Sequence, residues 1–331
     1  MYLDRLKRPV VVVLLAGLLA WPFGARAQNP TLPVIGFLNS ASPDPGARLA
    51  DGFRQGLSEA GYVEGRNVTI EYRFADGQFA RLPELVTDLV QHGVSLIAAT
   101  GGIISARAAK SVTTTVPILF ISGPNPVGDG LVANFNRPGG NLTGVAMFTS
   151  ELIPKRLELL NELAPRARTV ALLVNPSDVA HVEEALHIET ATRTTGQQMI
   201  LLNATADSEF APAFASAVQQ KADALLVSAN PFFTDRRAQL VALAARHGLP
   251  AGYPWRQYAE AGGLMSYGPS IVGAYRLLGR YAGRILQGDK PGELPVQSPT
   301  RFELIINLRT AKSLGLNVST RLSAAVDQAI E

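Results

Sequence analysis

Short, unbroken apolar runs alternate along this chain with longer stretches whose apolar residues recur every three or four positions. The run at 33–38 has the length and β-branching of a buried strand. Ser42 and Pro43 follow as a helix cap and first-turn proline. Ala50, Phe53, Leu57 and Ala60 then recur at helical spacing until Gly61 stops the helix. The same pattern predicts strands at 67–72, 94–99, 116–121 and 142–147, and helices at 82–90 and 105–110. A second round begins with a helix at 151–163. Strands are predicted at 169–174, 199–202, 224–228, 250–252 and 264–267, with helices at 181–195, 208–220 and 235–247 between them. A helix at 272–286, a strand at 302–306 and a short helix finish the chain. The strand ending in Asn175 and Pro176 echoes the first one, which ends in Asn39 and Ser40.

Strand–helix alternation builds parallel sheets with helices on both faces. Two such blocks of roughly 115 residues predict an α/β protein of two doubly wound, parallel-sheet lobes. The expected division is 32–147 plus about 268–290 for the N-terminal lobe, and 148–267 plus about 291–331 for the C-terminal lobe. Ligands of such sheets sit beyond the carboxyl ends of the strands, so two facing lobes place the site in the cleft between them.

That argument nominates the residues just after each strand. Ser40 follows the first. Thr100, Gly101 and Gly102 follow the strand at 94–99 and lead to Ser105 on the next helix; glycines there let an anionic group approach backbone N–H donors at a helix start. Ser122 and Asn125 extend the same wall. Asn175, Asn230, Phe232, Tyr253 and Trp255 hold the equivalent places in the second block, and Met147 and Tyr267 sit where the chain crosses between blocks. Each residue alone has a plainer reading: Asn-Pro is ordinary turn chemistry, and Tyr253 or Trp255 can simply cover a core. It is the recurrence of hydroxyl, amide and aromatic groups at successive strand ends that favours a ligand cleft.

The N-terminus changes the charge picture. Arg5, Lys7 and Arg8 precede an apolar run at 10–20, a break at 21–24 and the small-x-small triplet Ala25, Arg26, Ala27. This is the layout of a cleavable secretory signal, with processing near Ala27. The apolar run of about 11 residues falls short of the roughly 20 that span a bilayer. The whole chain carries 30 Lys+Arg and 27 Asp+Glu. Residues 1–27 take four basic groups and one acidic group with them, leaving 26 of each and a formal net charge of zero. A neutral mature chain without basic runs offers nothing to nucleic acid or to an anionic membrane. It also has no cysteine, hence no disulfide, no thiolate metal site and no cysteine for a lipid anchor. The expected product is a freely diffusing periplasmic protein that does not insert in the membrane.

Catalytic patterns are sparse. His181 and His187 are six residues apart, off the spacing that sets two ligands on one helix face, and no metal site is expected. Neither a Gly-x-Ser-x-Gly elbow nor a phosphate-binding loop occurs. Gly128, Gly130 and Ala133 match Gly-x-Gly-x-x-Ala, but Pro138, Gly139 and Gly140 stop any long helix behind them, so no dinucleotide and no other cofactor is expected. The Arg236–Arg237 pair reads as a solvated helix face.

Four blocks carry a resemblance: 32–40, 53–68, 136–145 and 261–268. Together they look like the ABC-transporter substrate-binding family that includes tryptophan-binding receptors, over essentially the whole mature chain. The resemblance implies a type I periplasmic-binding fold with three crossovers between lobes. It also implies closure on a small organic solute, amino-acid-like or another carboxylate, and an ABC permease as partner, with no enzymatic step. Two other readings stand beside it: an exported sensor docking on a membrane signalling protein, and an exported enzyme on the same fold. Members of the family often carry aspartate where this chain has Asn125 and Asn230. If those positions face the cleft, two carboxylates for a ligand ammonium are missing.

Overall fold

The computed structural model describes residues 32–331 apart from Pro124 and Val179. The expected secretion signal lies outside the described residues. Strands β1 (Val34–Asn39), β2 (Thr69–Phe74), β3 (Leu96–Thr100), β4 (Ile118–Ser122) and β5 (Leu142–Ala146) form a parallel sheet in the order β2-β1-β3-β4-β5. Helices α1 (Pro43–Glu59), α2 (Leu82–Gln91) and α3 (Ile103–Val112) alternate with these strands. β3, β4 and β5 are buried at every position, which is why their sequences are continuous apolar runs rather than alternating ones.

Helix α4 (Ile153–Leu163) leads into a second sheet. Its parallel part consists of β6 (Thr169–Val174), β7 (Gln198–Asn203), β8 (Ala224–Val227), β9 (Ala251–Tyr253) and β10 (Met265–Pro269), with α5 (Ala180–Thr195), α6 (Asp207–Gln219), α7 (Pro231–Asp235), α8 (Arg237–Arg246) and α9 (Arg256–Glu260) between them. Helix α10 (Ile271–Leu286) follows. β11 (Phe302–Asn307), α11 (Leu308–Ser313), α12 (Thr320–Ala325) and β12 (Gln328–Ile330) end the chain. The order is β12-β11-β10-β9-β8-β6-β7, with β11 antiparallel to β10. The expected architecture of two doubly wound sheets is the one the chain adopts.

Three details depart from the sequence pattern. The helix expected at 235–247 is α8, and a short α7 that the pattern did not predict precedes it, capped by Asn230 with Pro231 in its first turn and ending where the chain bends at Arg236. The strand expected at 264–267 runs on to Pro269, held by its antiparallel pairing with β11. β12 has no counterpart in the sequence reading; three residues with no buried position leave no apolar signal.

Core packs on both faces of each sheet. Ile97, Ala99 and Phe120 face α2 and α3, while Phe37, Leu119 and Phe53 pack with Tyr275 and Leu278 of α10. In the second sheet Leu172 and Leu226 meet Leu157 and Leu160 of α4, and Leu173 and Val227 share a cluster with Phe210 and Phe214 of α6. α10 follows a strand of the second sheet yet packs along α1. The approach is backbone to backbone: a methyl at Gly56 would lie 1.8 Å from the Arg276 carbonyl oxygen, and one at Gly279 would lie 2.0 Å from that of Phe53. Beyond α10 the chain borders β5, where Ala146 N donates to Gln297 O (2.8 Å) and Gln297 N to Gly144 O (2.9 Å), before it enters β11. Among the described residues no helix is long and apolar enough to cross a membrane.

Candidate ligand-binding site

In the order β2-β1-β3-β4-β5 the connections leave in opposite directions from the gap between β1 and β3, the place where such sheets bind ligands. Asn39 and Thr100 end these strands in register. Asn39 Nδ2 donates to Thr100 Oγ1 (3.0 Å) and to the Tyr275 hydroxyl (3.2 Å), and its Oδ1 accepts from Ala41 N (2.8 Å). Thr100 Oγ1 donates to Leu38 O (3.0 Å), and Ser40 Oγ donates to Gly101 O. These buried polar groups brace one another and form a floor. Tyr275 belongs to it as a neutral phenol, its pKa pushed up to about 12 by burial.

Above this floor lies a cavity of about 400 Å³. From the first sheet's side it is lined by Asn39, Gly101, Gly102, Ile121 and Gly123, and from α1 and α10 by Leu49, Ile271, Val272 and Tyr275. Gly101 and Gly102 have φ of +79° and +93°, so their backbone turns into the N-terminus of α3 with no side chain in the way. Any Cβ at Gly101 would fall 2.6 Å from Asn39 Oδ1 and Ser40 Oγ. A solute anion there would meet N–H groups at a helix start.

The opposite wall comes from the second sheet. Met147 sits where the chain leaves the first sheet; Ala229, Pro231, Thr234, Asp235 and Arg237 follow β8, and Trp255, Arg256, Gln257 and Glu260 follow β9. Asp235 Oδ2 accepts from both Ser42 N and Ser42 Oγ, each at 2.9 Å, which joins the start of α1 to the end of α7. Burial raises the Asp235 pKa, and the Ser42 hydrogen bonds and the charges of Arg236 and Arg237 work against that rise. Arg236 is held by Asp207 (3.0 Å) and lies over the Phe232 ring. Arg237 donates to Thr234 O (3.1 Å) and forms no ion pair among the described residues. Arg256 is paired with Glu260 (2.7 Å) and Glu303 (3.7 Å). The Gln257 Oε1 atom is shut off from solvent without a partner among the described residues.

Of the residues nominated from sequence, Gly101, Gly102, Met147 and Trp255 line this cavity. Ser40 and Thr100 lie in the floor beneath it, and Ser122 ends β4 in the same buried layer. Ser105 is buried in the first turn of α3 and its Oγ has no partner among the described residues. The others do not line the cavity. Asn125 spends its side chain on its own turn, accepting from Val127 N (3.0 Å) and Gly128 N (3.2 Å). Asn175 does the same with Ser177 N (2.9 Å). Asn230 caps α7 and donates to Asp178 Oδ2 (2.8 Å). Phe232 packs against Phe210 and Phe233, Tyr253 stacks on Tyr258, and Tyr267 stacks on Phe302 at a separate recess shared with Lys155 and Arg321. Arg237, expected on a solvated face, is in the cavity wall. Asp235, Gln257 and Tyr275 were not nominated. They lie at the end of α7, in the first turn of α9 and in the second turn of α10, and which way those turns face is decided by long-range packing.

Behind the second wall the corresponding gap between β6 and β8 is filled by the buried ionisable side chains of Glu184 and Arg156. Glu184 accepts from Ala229 N (3.3 Å), and its pKa is pushed up to about 8, chiefly by burial and then by the charge of Asp178. Arg156, wholly buried, donates to Thr149 O, and burial lowers its pKa to about 10. Among the described residues no group of three or more His, Cys, Asp or Glu side chains could hold a metal ion.

A family model described as ABC transporter substrate binding protein matches residues 35–330. A tyrosine-binding protein of Clostridioides difficile (strain R20291) is 27% identical over 265 residues, covering 80% of this chain and 76% of that one. Among solved structures, an ABC domain in complex with L-Trp from Streptococcus pneumonia superposes with a TM-score of 0.83 at 22% identity, covering 91% of this chain and all of that one. The ligand-free, open form of a substrate binding protein with adhesive properties from Clostridium difficile gives 0.65 at 23% identity, with 91% and 99% covered. The fold, two mostly parallel sheets, is that of type I periplasmic binding proteins.

Proposed function

Because the chain belongs to the ABC transporter substrate binding protein family, we propose that it is a periplasmic receptor that captures a small organic solute and delivers it to an ABC importer. The observation that carries this reading is the cavity whose two walls come from the ends of two different sheets. Contacts from both walls exist together only when the walls approach, so a solute between them stabilises the closed form. The Ser42–Asp235 hydrogen bonds belong to that closed form, as does the packing of Pro231 3.4 Å from the position a Cβ on Gly102 would take.

Within the cavity, Gly101 and Gly102 receive the solute's carboxylate or another anionic group, and Trp255, Met147, Ile121 and Leu49 cover an apolar or aromatic body. The relatives named for binding tyrosine and L-Trp support an amino-acid-like solute of this shape. The lobe division 32–147 plus about 268–290, and 148–267 plus about 291–331, accompanies this reading; the packing of α10 on α1 supports it. The signal-like sequence at 1–27 supports export, and a permease that senses the closed, loaded receptor is the expected partner.

Calorimetry of the mature protein against a panel of amino acids and carboxylates tests the proposal. Saturable binding without product supports it. Turnover of any member, or failure to bind any small solute together with an empty receptor in native mass spectra, counts against it.

A further inference from the structure

Asn125 and Asn230 are withdrawn from the cavity by their own turns, so their amides say nothing about a ligand ammonium. The cavity wall has a different carboxylate. The Asp235 side chain is only 5% exposed and lines the cavity. Its Oδ2 is saturated by Ser42 N and Oγ, while its Oδ1 accepts no hydrogen bond among the described residues. A carboxylate taken out of water with one oxygen unpartnered is costly unless a donor or cation meets it. Arg236 does not supply that partner, since its 3.5 Å approach is to the already occupied Oδ2 and its shorter contact is with Asp207. Gln257 lines the same cavity, but its Oε1 is shut off from it.

We propose that Asp235 is a specificity-determining residue that accepts a cationic nitrogen of the solute through Oδ1 while its Oδ2 holds Ser42 of the opposite wall. This deepens the receptor reading and rests on it. One carboxylate then does two things: it reads the solute's charge and ties the walls together. Selection for the nitrogen and closure over it are one event, and Ser42 acts only as a positioning residue.

The test titrates the mature receptor, by calorimetry and Trp255 fluorescence, with the common L-α-amino acids and with their des-amino carboxylates. The wild type is expected to bind at least one amino acid about tenfold or more above its des-amino partner. Asp235→Asn keeps the size of the side chain and an acceptor for Ser42. It is expected to cost that amino acid about 30-fold in affinity and the des-amino partner several-fold less, only what the weaker, uncharged hold on Ser42 removes. Ser42→Ala weakens both series alike and leaves the preference unchanged, which separates reading the solute from holding the walls. An unchanged thermal midpoint and circular dichroism confirm that Asp235→Asn is folded. An amine preference that survives in Asp235→Asn overturns the assignment, and so does a wild type that binds des-amino acids as tightly as amino acids, although that second result leaves the receptor reading standing. Silence across both series overturns the two together.

Discussion

The two sheets share a core arrangement, β2-β1-β3-β4-β5 in one and β7-β6-β8-β9-β10 in the other, and each has a gap where its connections diverge. The gaps end differently. Between β1 and β3 the strand ends give way to Gly101 and Gly102, which present only backbone to the cavity. Between β6 and β8 the strand ends carry Asn175 and, one residue past Ala229, Asn230, whose side chains are consumed locally, with Glu184 and Arg156 filling the space behind. The solute-facing groups of that half have moved outward, to α7 and its junction with α8 and to the start of α9. Topology chooses where a gap lies; local hydrogen bonding chooses whether it stays open. One half therefore offers backbone donors, and the other offers side chains with charge and aromatic surface.

The comparison breaks most completely if the open gap is filled. Gly101→Val places branched carbons where Asn39 and Ser40 already lie, at a φ that valine avoids. Affinity for the best-bound solute is expected to fall by at least about 100-fold, with about 1–3 kcal/mol of stability lost in urea melts. A variant with wild-type affinity would show that the first gap is not the binding surface. Trp255→Ala tests the other wall. About 2 kcal/mol of binding should go, read by calorimetry, and the unfolding midpoint should fall as well, because the ring lines the cavity and also belongs to the core.

Asn230→Ala should sharpen the contrast by acting in the opposite sense. It removes the cap of α7 and the bond to Asp178, so stability falls by about 1 kcal/mol while affinity stays within about threefold. A large loss of affinity with stability intact would put Asn230 in the cavity after all.

The last test is read as a pH slope and concerns the filled gap. The folded protein holds the Glu184 proton up to about pH 8, whereas an unfolded chain releases it near 4.5. Between those values the folded state binds more protons than the unfolded one. The Glu184 contribution is therefore greatest below pH 4.5 and is lost as pH rises toward 8. Glu184→Gln, neutral throughout, should flatten the decline of urea midpoints from pH 5 to 8; an unaltered slope would mean that Glu184 is ionised in the folded state.

Much of the architecture could be read from the chain because parallel strands buried on both faces must be apolar throughout. Runs such as 96–99 and 118–121 admit few alternatives. The open gap was legible for a related reason: Gly101 and Gly102 stand where side chains would be excluded. The asparagines were not. Asn125, Asn175 and Asn230 each suit a turn as well as a ligand, and only the hydrogen bond actually made separates the two uses. Asp235 and Arg237 read as ordinary helix-start and surface charge. Their place in the cavity depends on how the second sheet's helices meet the first, which no local pattern encodes. Phe232 and Tyr253 were drawn in by aromatic character that the structure uses for stacking in the core.

The backbone contact of α1 with α10 has a mechanical consequence. Where two helices touch carbonyl against glycine, neither can slide or roll without a collision, so the pair moves as one rigid lever. Only Ser270 separates Pro269 at the end of β10 from Ile271 at the start of that lever, and its own hydroxyl accepts from Gly273 N. Little torsional freedom is left at that crossing. The longer link between β5 and α4, which includes Phe148 at a φ of +51°, is where rotation of one sheet against the other has room to be absorbed.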